Sequence, residues 1–214
     1  MSGARKRTAI LISGRGSNMA SLIAAAKNPG FAAEIALVLS NNPDAPGLAT
    51  AEAHGIATAV VDHRPFGKDR TAFEAALQAE LLAHEIEFVC LAGFMRILTA
   101  GFVEKWYGRM INIHPSILPA YKGLHTHERV LEDGVRIHGC TVHFVVPEMD
   151  AGPIIEQAAV EVRGNDTPDT LAARVLEQEH RIYPLALDRA ASGRLRIEGN
   201  KVIDPDDDRS QPAA

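Results

Sequence analysis

Asn112 and His114 stand two positions apart at the end of an apolar run, Met110–Ile113, and are followed by Pro115. Such a run predicts a β-strand, on which residues i and i+2 point to the same side. An amide donor and an imidazole can therefore face one reacting oxygen, where they could stabilise negative charge and transfer a proton. The pair is typical of a catalytic site at the carboxyl end of a strand, although a lone histidine is more often a structural residue.

A glycine-rich turn, Gly14–Asn18, follows the first apolar run, Thr8–Ile12. If the turn opens a helix, its free backbone amides and the helix dipole favour an anion such as a phosphate. A dinucleotide site is disfavoured, because Met19 replaces the third glycine of that pattern and Ser40–Asn42 stand where a ribose-binding acid is expected. No P-loop lysine follows the turn, so the segment predicts a monophosphate site, unless the glycines serve the turn alone.

Five histidines are grouped in the second half of the chain. They are His114, His125, His127, His138 and His143. Zinc hydrolases gather histidine and carboxylate ligands in a similar way, so a metal site is an alternative. Neither a helical His-x-x-x-His pattern nor a Cys-x-x-Cys pair is present. We therefore predict no metal, and hydrogen-bonding roles for the histidines other than His114.

Short apolar runs alternate with helical patterns in the first half of the chain. Strands are predicted at Thr8–Ile12, Ile35–Leu39, Ala59–Val61, Phe88–Leu91 and Met110–Ile113, and helices at Met19–Ala26, Gly47–Ala53 and Asp69–Ala83. Apolar strands separated by helices predict a Rossmann-like, mostly parallel sheet with helices on both faces.

The pattern changes after Gly134. The strand-like runs Ile137–Val146 and Pro153–Val162 are joined by a short loop, which favours antiparallel neighbours. Thr167-Pro168 predicts the start of a long helix, which is followed by a terminal hairpin. The buried residues of this helix are predicted to be Leu171, Val175, Ile182 and Leu185, and the hairpin strands to be Arg194–Ile197 and Lys201–Ile203. We predict one α/β domain over residues 1–203 and a disordered acidic tail over residues 204–214.

Composition narrows the classes of function. The 214 residues carry a net charge of −5 with Lys and Arg spread along the chain, which favours neither a nucleic-acid nor a membrane surface. The first apolar run, Thr8–Ile12, is too short for a signal peptide, and no run approaches the ~20 residues of a membrane span. Cys90 and Cys140 lie in apolar runs, which favours reduced, buried thiols and a cytoplasmic protein.

Six motifs occur in an order and spacing that resembles the phosphoribosylglycinamide formyltransferase family. They are Gly16–Asn18, Leu91–Leu98, Asn112–Pro119, Gly123–His127, His138–His143 and Asp150–Ile155. The resemblance implies a single formyltransferase domain of Rossmann-like fold. It also implies transfer of the formyl group of 10-formyltetrahydrofolate, as co-substrate, to the amine of glycinamide ribonucleotide in purine synthesis, without a metal.

The same resemblance implies roles for individual residues. The expected catalytic residues are Asn112, His114 and Asp150, with Asp150 orienting the His114 ring. The expected ribonucleotide-binding residues are Gly16, Ser17, Asn18, Leu176, Glu177, Gln178 and Glu179. The expected folate-binding residues are Arg70, Leu91, Met95, Arg96, Ile97, Leu98, Asn112, Val146, Pro147, Glu148, Met149 and Asp150. For Arg70 and Glu179 the alternative is a helix charge that only faces water.

Other functions stay open at this level. The deformylase that hydrolyses the same folate and the formyltransferase of initiator methionyl-tRNA usually carry an additional domain, for which we expect no room in this chain. A non-enzymatic nucleotide-binding module would explain the glycine turn but would leave Asn112, His114 and Asp150 without a role. We expect small-molecule substrates and no nucleic-acid or membrane partner, and the sequence allows a homodimer.

Overall fold

A computed structural model describes residues 4–205 of the chain, so residues 206–214 of the predicted tail lie outside the described residues. The strands are β1 (Lys6–Ile12), β2 (Ala33–Ser40), β3 (Ala57–Val60), β4 (Phe88–Leu91), β5 (Met110–His114), β6 (Ile137–Phe144), β7 (Ile154–Glu161), β8 (Arg196–Glu198) and β9 (Lys201–Ile203). The helices are α1 (Ser17–Ala25), α2 (Pro46–Ala53), α3 (Arg70–Ala83), α4 (Ala100–Lys105), α5 (Thr126–Glu132) and α6 (Pro168–Ala191), and a short 3-10 helix spans Arg64–Phe66.

Seven strands form one sheet in the order β3-β2-β1-β4-β5-β6-β7. The first five strands are parallel to one another, whereas β6 and β7 are antiparallel to their neighbours. Strands β8 and β9 form a separate antiparallel pair. These findings confirm the predicted mostly parallel α/β sheet with antiparallel strands in its C-terminal part. The strand order reverses between β1 and β4, where open α/β sheets usually bind ligands.

Apolar side chains form a core layer on each face of the sheet. Along β1, Ile10 and Ile12 belong to one layer, whereas Ala9 and Leu11 belong to the other. Helices α1 and α6 contribute to the first layer, and α3 and α4 contribute to the second. Central strands covered on both faces must be apolar throughout, which explains why their sequences do not alternate.

Three local predictions differ from the structure. Helices α4 and α5 were not predicted, because six or seven residues make too few turns for a clear periodic pattern. The burial of Leu185 is wrong, since its side chain is 52% exposed. The stripe of α6 that faces the core continues from Ile182 to Ala186 at helical spacing, which turns Leu185 away from the sheet.

Both cysteines are buried and unpaired, and burial raises the pKa of the Cys140 thiol to about 12. No helix within residues 4–205 combines the length and the apolar composition needed to span a bilayer.

At Gly139 of β6, the backbone of β7 leaves no room for a side chain. A Cβ atom added there would lie 1.9 Å from the carbonyl oxygen of Ala158 and 2.7 Å from Cδ1 of Ile117. The Ala158 carbonyl can move aside only if the strand shifts. We therefore expect Gly139→Ala to lower the free energy of unfolding by about 3 kcal/mol. Urea denaturation followed by circular dichroism measures this. Gly101→Ala, where no atom lies within 4 Å of the added Cβ, is the control and should change stability little.

Candidate active site

The carboxyl ends of β1, β4 and β5 meet at one edge of the sheet, because these strands are adjacent and parallel. Strand β1 leads into the glycine turn, β4 leads into the segment Ala92–Leu98, and β5 ends at His114. Three of the sequence motifs therefore lie side by side at the edge that open α/β sheets use for ligands.

His114 and Asp150 form an ion pair in which both side chains are largely buried. Nδ1 of His114 lies 3.5 Å from Oδ2 of Asp150, and the same carboxylate oxygen accepts the Gly123 amide at 2.8 Å. The other ring nitrogen of His114 lies 2.9 Å from the carbonyl oxygen of Tyr121. Both ring nitrogens thus face acceptors, an arrangement that the doubly protonated ring satisfies. The Asp150 carboxylate is thus placed to orient the ring.

Asn112 lies beside this pair and is held by His143, its cross-strand neighbour on β6. The Nδ1 atom of His143 lies 3.0 Å from the carbonyl oxygen of Phe144, to which it donates. Its Nε2 atom is then free to accept from the Asn112 amide at 3.2 Å. Burial lowers the pKa of His143, against the opposing effects of the Phe144 hydrogen bond and the Asp150 charge. A neutral His143 therefore fixes one N–H of Asn112 and leaves its second N–H available.

The role of His143 was missed by sequence reasoning, which assigned it structural hydrogen bonding only. Its Nε2 atom lies 3.8 Å from Oδ1 of Asp150, so the ring stands between two of the three predicted catalytic residues. The signal was present in the antiparallel pairing of two predicted strands, but the register that sets Asn112 opposite His143 was not deducible.

The glycine turn opens helix α1 as predicted. Gly16 is the N-cap residue with φ 70° and ψ 37°, a left-handed conformation that glycine adopts without strain. Within residues 4–205, the amides of Gly16, Ser17 and Asn18 have no hydrogen-bond partner. Free amides at a helix N-terminus form a preorganised site for an anion.

Glu179 of α6 reaches the glycine turn. The residue is 7% exposed, and its carboxylate accepts a hydrogen bond from the side-chain amide of Asn18 at 2.6 Å. Burial raises the pKa of Glu179, and the hydrogen bond from Asn18 opposes this only in part. The Oδ1 atom of Asn18 is buried without a partner among the described residues. This carboxylate is thus a poorly solvated acceptor, which suits ligand hydroxyl groups.

The other predicted ribonucleotide-binding residues of α6 are less buried than Glu179. Leu176 and Gln178 are half-buried, and Glu177 is exposed. Gln178 accepts from Arg181 on the same helix. None of these three side chains is hydrogen-bonded to the glycine turn within the part of the chain that the structure describes.

The segment after β4 exposes apolar side chains beside the catalytic group. Met95 and Ile97 are 67% and 69% exposed, and Met149 of the opposite loop is 56% exposed. The Met95 amide donates to Oγ of Ser13 at 2.7 Å, but the other backbone groups of Phe94–Leu98 have no partner within residues 4–205. Exposed apolar side chains around unpaired backbone groups are typical of a site that binds a flat, polar-edged ring.

The remaining predicted folate residues lie around this segment. Leu91 is buried, and its carbonyl oxygen accepts the Tyr183 hydroxyl, so it supports the sheet. Arg70 is exposed at the first position of α3. Arg96, Leu98 and Val146 are half-buried, and Pro147 is exposed. Glu148 pairs with Lys122 at 3.1 Å on the surface and joins the two loops that flank Asp150.

His125, His127 and His138 make no hydrogen bond to His114 or Asp150 among the described residues. Nδ1 of His127 lies 3.1 Å from Nε2 of His138, and burial lowers the pKa of His138 to about 4. His125 is exposed beside Glu128. Among residues 4–205 there is no group of three or more His, Cys, Asp or Glu residues that could hold a metal ion.

The buried carboxylate of Glu179 leads to a prediction about stability. Because its folded-state pKa is raised above 4.5, the ionised side chain costs stability at pH 7. Glu179→Gln should therefore raise the free energy of unfolding at pH 7, with the gain disappearing as the pH falls to 4.5. Denaturation at several pH values measures this. The control is Glu177→Gln, which removes the same charge at an exposed site and should leave stability nearly unchanged.

Comparisons with known proteins identify the family of this chain. The model of the family described as formyl transferase matches residues 6–187. The Escherichia coli phosphoribosylglycinamide formyltransferase is 46% identical over 89% of this chain and 90% of its own length. The trifunctional purine biosynthetic protein adenosine-3 of Gallus gallus is 51% identical over 92% of this chain, which spans only 20% of that relative.

Solved structures share the fold. Glycinamide ribonucleotide transformylase 1 from Symbiobacterium toebii superposes with a TM-score of 0.90 and 42% identity, covering 94% of each chain. A formyltetrahydrofolate deformylase from Pseudomonas syringae superposes with a TM-score of 0.87 and 28% identity over 94% of this chain and 66% of its own. With a family match over most of its length and these relatives, the chain belongs to the formyl transferase family.

Proposed function

We propose that this protein transfers the formyl group of 10-formyltetrahydrofolate to the amine of glycinamide ribonucleotide in purine synthesis. One observation carries the proposal: a buried His114–Asp150 pair and Asn112 lie at the same sheet edge as an anion-binding turn and an exposed apolar segment. The Escherichia coli relative, which this chain matches at 46% identity over 90% of that protein, bears the name of the activity.

The proposed chemistry needs one oxyanion and one proton relay. The amine of the ribonucleotide attacks the formyl carbon, and a tetrahedral intermediate with a negative oxygen and a positive nitrogen results. His114 and the free N–H of Asn112 would donate to that oxygen, for which the His114 nitrogen that now faces the Tyr121 carbonyl must exchange that partner for the oxyanion. A proton leaves the attacking nitrogen and another reaches the departing folate nitrogen as the C–N bond breaks. Asp150 keeps the imidazolium stable throughout.

The two substrates would use different parts of the edge. The phosphate of the ribonucleotide binds the free amides of Gly16, Ser17 and Asn18, and its ribose hydroxyls donate to Glu179. The folate ring binds along Phe94–Leu98, between the exposed side chains of that segment and Met149. The segment Leu176–Gln178 completes the proposed ribonucleotide-binding set at its margin. Arg70 does the same for the proposed folate-binding set.

We also propose that residues 1–203 form a single formyltransferase domain in a cytoplasmic protein that acts on small molecules and needs no metal. The proposal leaves a homodimer open. It assigns no role to nucleic acid or membranes, in keeping with a net charge of −5 and dispersed basic residues.

The activity is tested by mixing the protein with 10-formyltetrahydrofolate, with and without glycinamide ribonucleotide, in the presence of a strong chelator. We expect the folate to lose its formyl group only when the ribonucleotide is present, and formylglycinamide ribonucleotide to accumulate. Formate released without the ribonucleotide would identify a deformylase instead. Activity that requires added zinc would contradict the metal-free mechanism.

The glycine turn predicts a selective binding defect. Gly16→Val forces a β-branched residue into a left-handed conformation, and its Cβ would lie 3.1 Å from Cε of the buried Met19, so the turn must shift and displace the amides that would bind the phosphate. We expect ribonucleotide affinity to fall at least about tenfold, equal to about 1.4 kcal/mol, with folate affinity unchanged. Calorimetric titration with each substrate separately measures both. Gly55→Val is the matched control, because Gly55 has φ 72° with no atom within 4 Å of its added Cβ.

The His114–Asp150 pair predicts strong non-additivity. Asp150→Asn should lower turnover by about 100-fold or more with both substrates still bound, because the amide cannot stabilise the imidazolium. His114→Ala should be about as damaging. The double variant should be little worse than either, as expected for residues that act as a unit. Single-turnover rates at saturating substrates provide the measurement, and losses that multiply would mean that Asp150 does not act through His114.

A further inference from the structure

Ser13 is the residue between β1 and the glycine turn, and it bonds to two other strand ends. Its amide donates to the carbonyl oxygen of Gly93 at 3.1 Å, and its hydroxyl accepts the Met95 amide at 2.7 Å. The same hydroxyl donates to Oδ1 of Asn41, which follows β2. One small side chain thus links the segments that leave β1, β2 and β4.

We propose that Ser13 is a positioning residue that couples the two substrate-binding segments, the glycine turn and Phe94–Leu98. The inference rests on the proposed function and assigns a role to a residue outside the sets of binding residues given above. Ser13 touches neither proposed substrate directly. It acts by holding the Met95 amide, and therefore the backbone that the folate ring would bind.

Few other hydrogen bonds hold this part of the folate segment, whose Phe94 and Leu98 side chains pack against the second core layer. Residues 94–98 form neither helix nor strand, and Met95 and Ile97 have their side chains mostly in solvent. At the far end, the amide and hydroxyl of Thr99 both donate to the buried carboxylate of Glu74. The Ser13 hydroxyl is thus the one hydrogen-bond partner of the backbone between Gly93 and Thr99 within residues 4–205.

The coupling follows from shared ordering. Ser13 is continuous with Gly14, whose carbonyl oxygen accepts the Gly47 amide of α2 at 3.1 Å. A phosphate that fixes the amides of this turn also restrains Ser13, and so restrains the Met95 amide bonded to it. The bound phosphate has then already ordered part of the folate segment. Folate binding therefore loses less conformational entropy. Because binding coupling is reciprocal, folate should tighten ribonucleotide binding by the same factor.

The experiment measures binding of tetrahydrofolate, which carries no formyl group and cannot react, with and without glycinamide ribonucleotide. In the unmodified protein we expect the ribonucleotide to tighten tetrahydrofolate binding. Ser13→Ala should weaken tetrahydrofolate binding roughly 5- to 10-fold, the effect of one lost hydrogen bond, and should abolish the tightening. Binding of the ribonucleotide alone should stay unchanged. Ser13→Thr, which retains the hydroxyl, should retain the coupling.

Ser40→Ala is the matched control. Ser40 is fully buried at the end of β2, and among residues 4–205 its hydroxyl bonds only to the backbone of Asn42. The control should lower stability without changing the coupling factor. Equal weakening of both ligands by Ser13→Ala, or a Ser13→Thr variant as defective as Ser13→Ala, would reduce Ser13 to a structural residue.

The unmodified protein provides a test that does not depend on the folding of any variant. If it transfers formyl groups but the ribonucleotide has no effect on tetrahydrofolate binding, the coupling is absent and the inference alone fails. If it transfers no formyl group to the ribonucleotide, the proposed function fails, whatever the binding data show.

Discussion

Parallel strands β1, β4 and β5 are covered by side chains on both faces, so polar groups can stand only where these strands end. Every group assigned a chemical role lies at or beyond that edge. The fully buried Tyr183 shows how strict the constraint is. Its hydroxyl lies 2.9 Å from the carbonyl oxygen of Leu91, the last residue of β4, and 3.3 Å from that of Ile111 on β5. A side chain of the covering helix thus satisfies the last carbonyl of β4.

Burial of polar groups at this edge costs stability, because these groups lose contact with water. Asp150 is surrounded by His114, His143 and the Gly123 amide, which leaves its carboxylate little contact with water. Glu179 is buried with one hydrogen bond from Asn18, and burial raises the pKa of its carboxyl. Its ionised form therefore lowers the stability of the fold, and it remains a poorly solvated acceptor.

The similarity to a deformylase clarifies which parts of the site would decide between an amine and water as acceptor. The proposed catalytic residues and the proposed folate segment suit either reaction, because both reactions pass through a tetrahedral intermediate at the formyl carbon. Under the proposed function, the glycine turn and Glu179 supply the acceptor site, with free amides for a phosphate and a carboxylate for hydroxyl groups. Under the proposed function, specificity depends on α1 and α6 and the chemistry depends on β5.

The sequence by itself determined the alternation of strands and helices, the mostly parallel sheet, and the placement of Asn112 and His114 on one side of a strand. These depend on local periodicity and on the rule that parallel strands end at a common edge. Tertiary structure alone decided that His143 holds Asn112, that Glu179 reaches Asn18 and that Ser13 holds Met95. Their partners are separated by 31, 161 and 82 residues, and no local pattern records such distances. Strand register and the rotation of α6 over the sheet bring them together, and both are set by how the whole core packs.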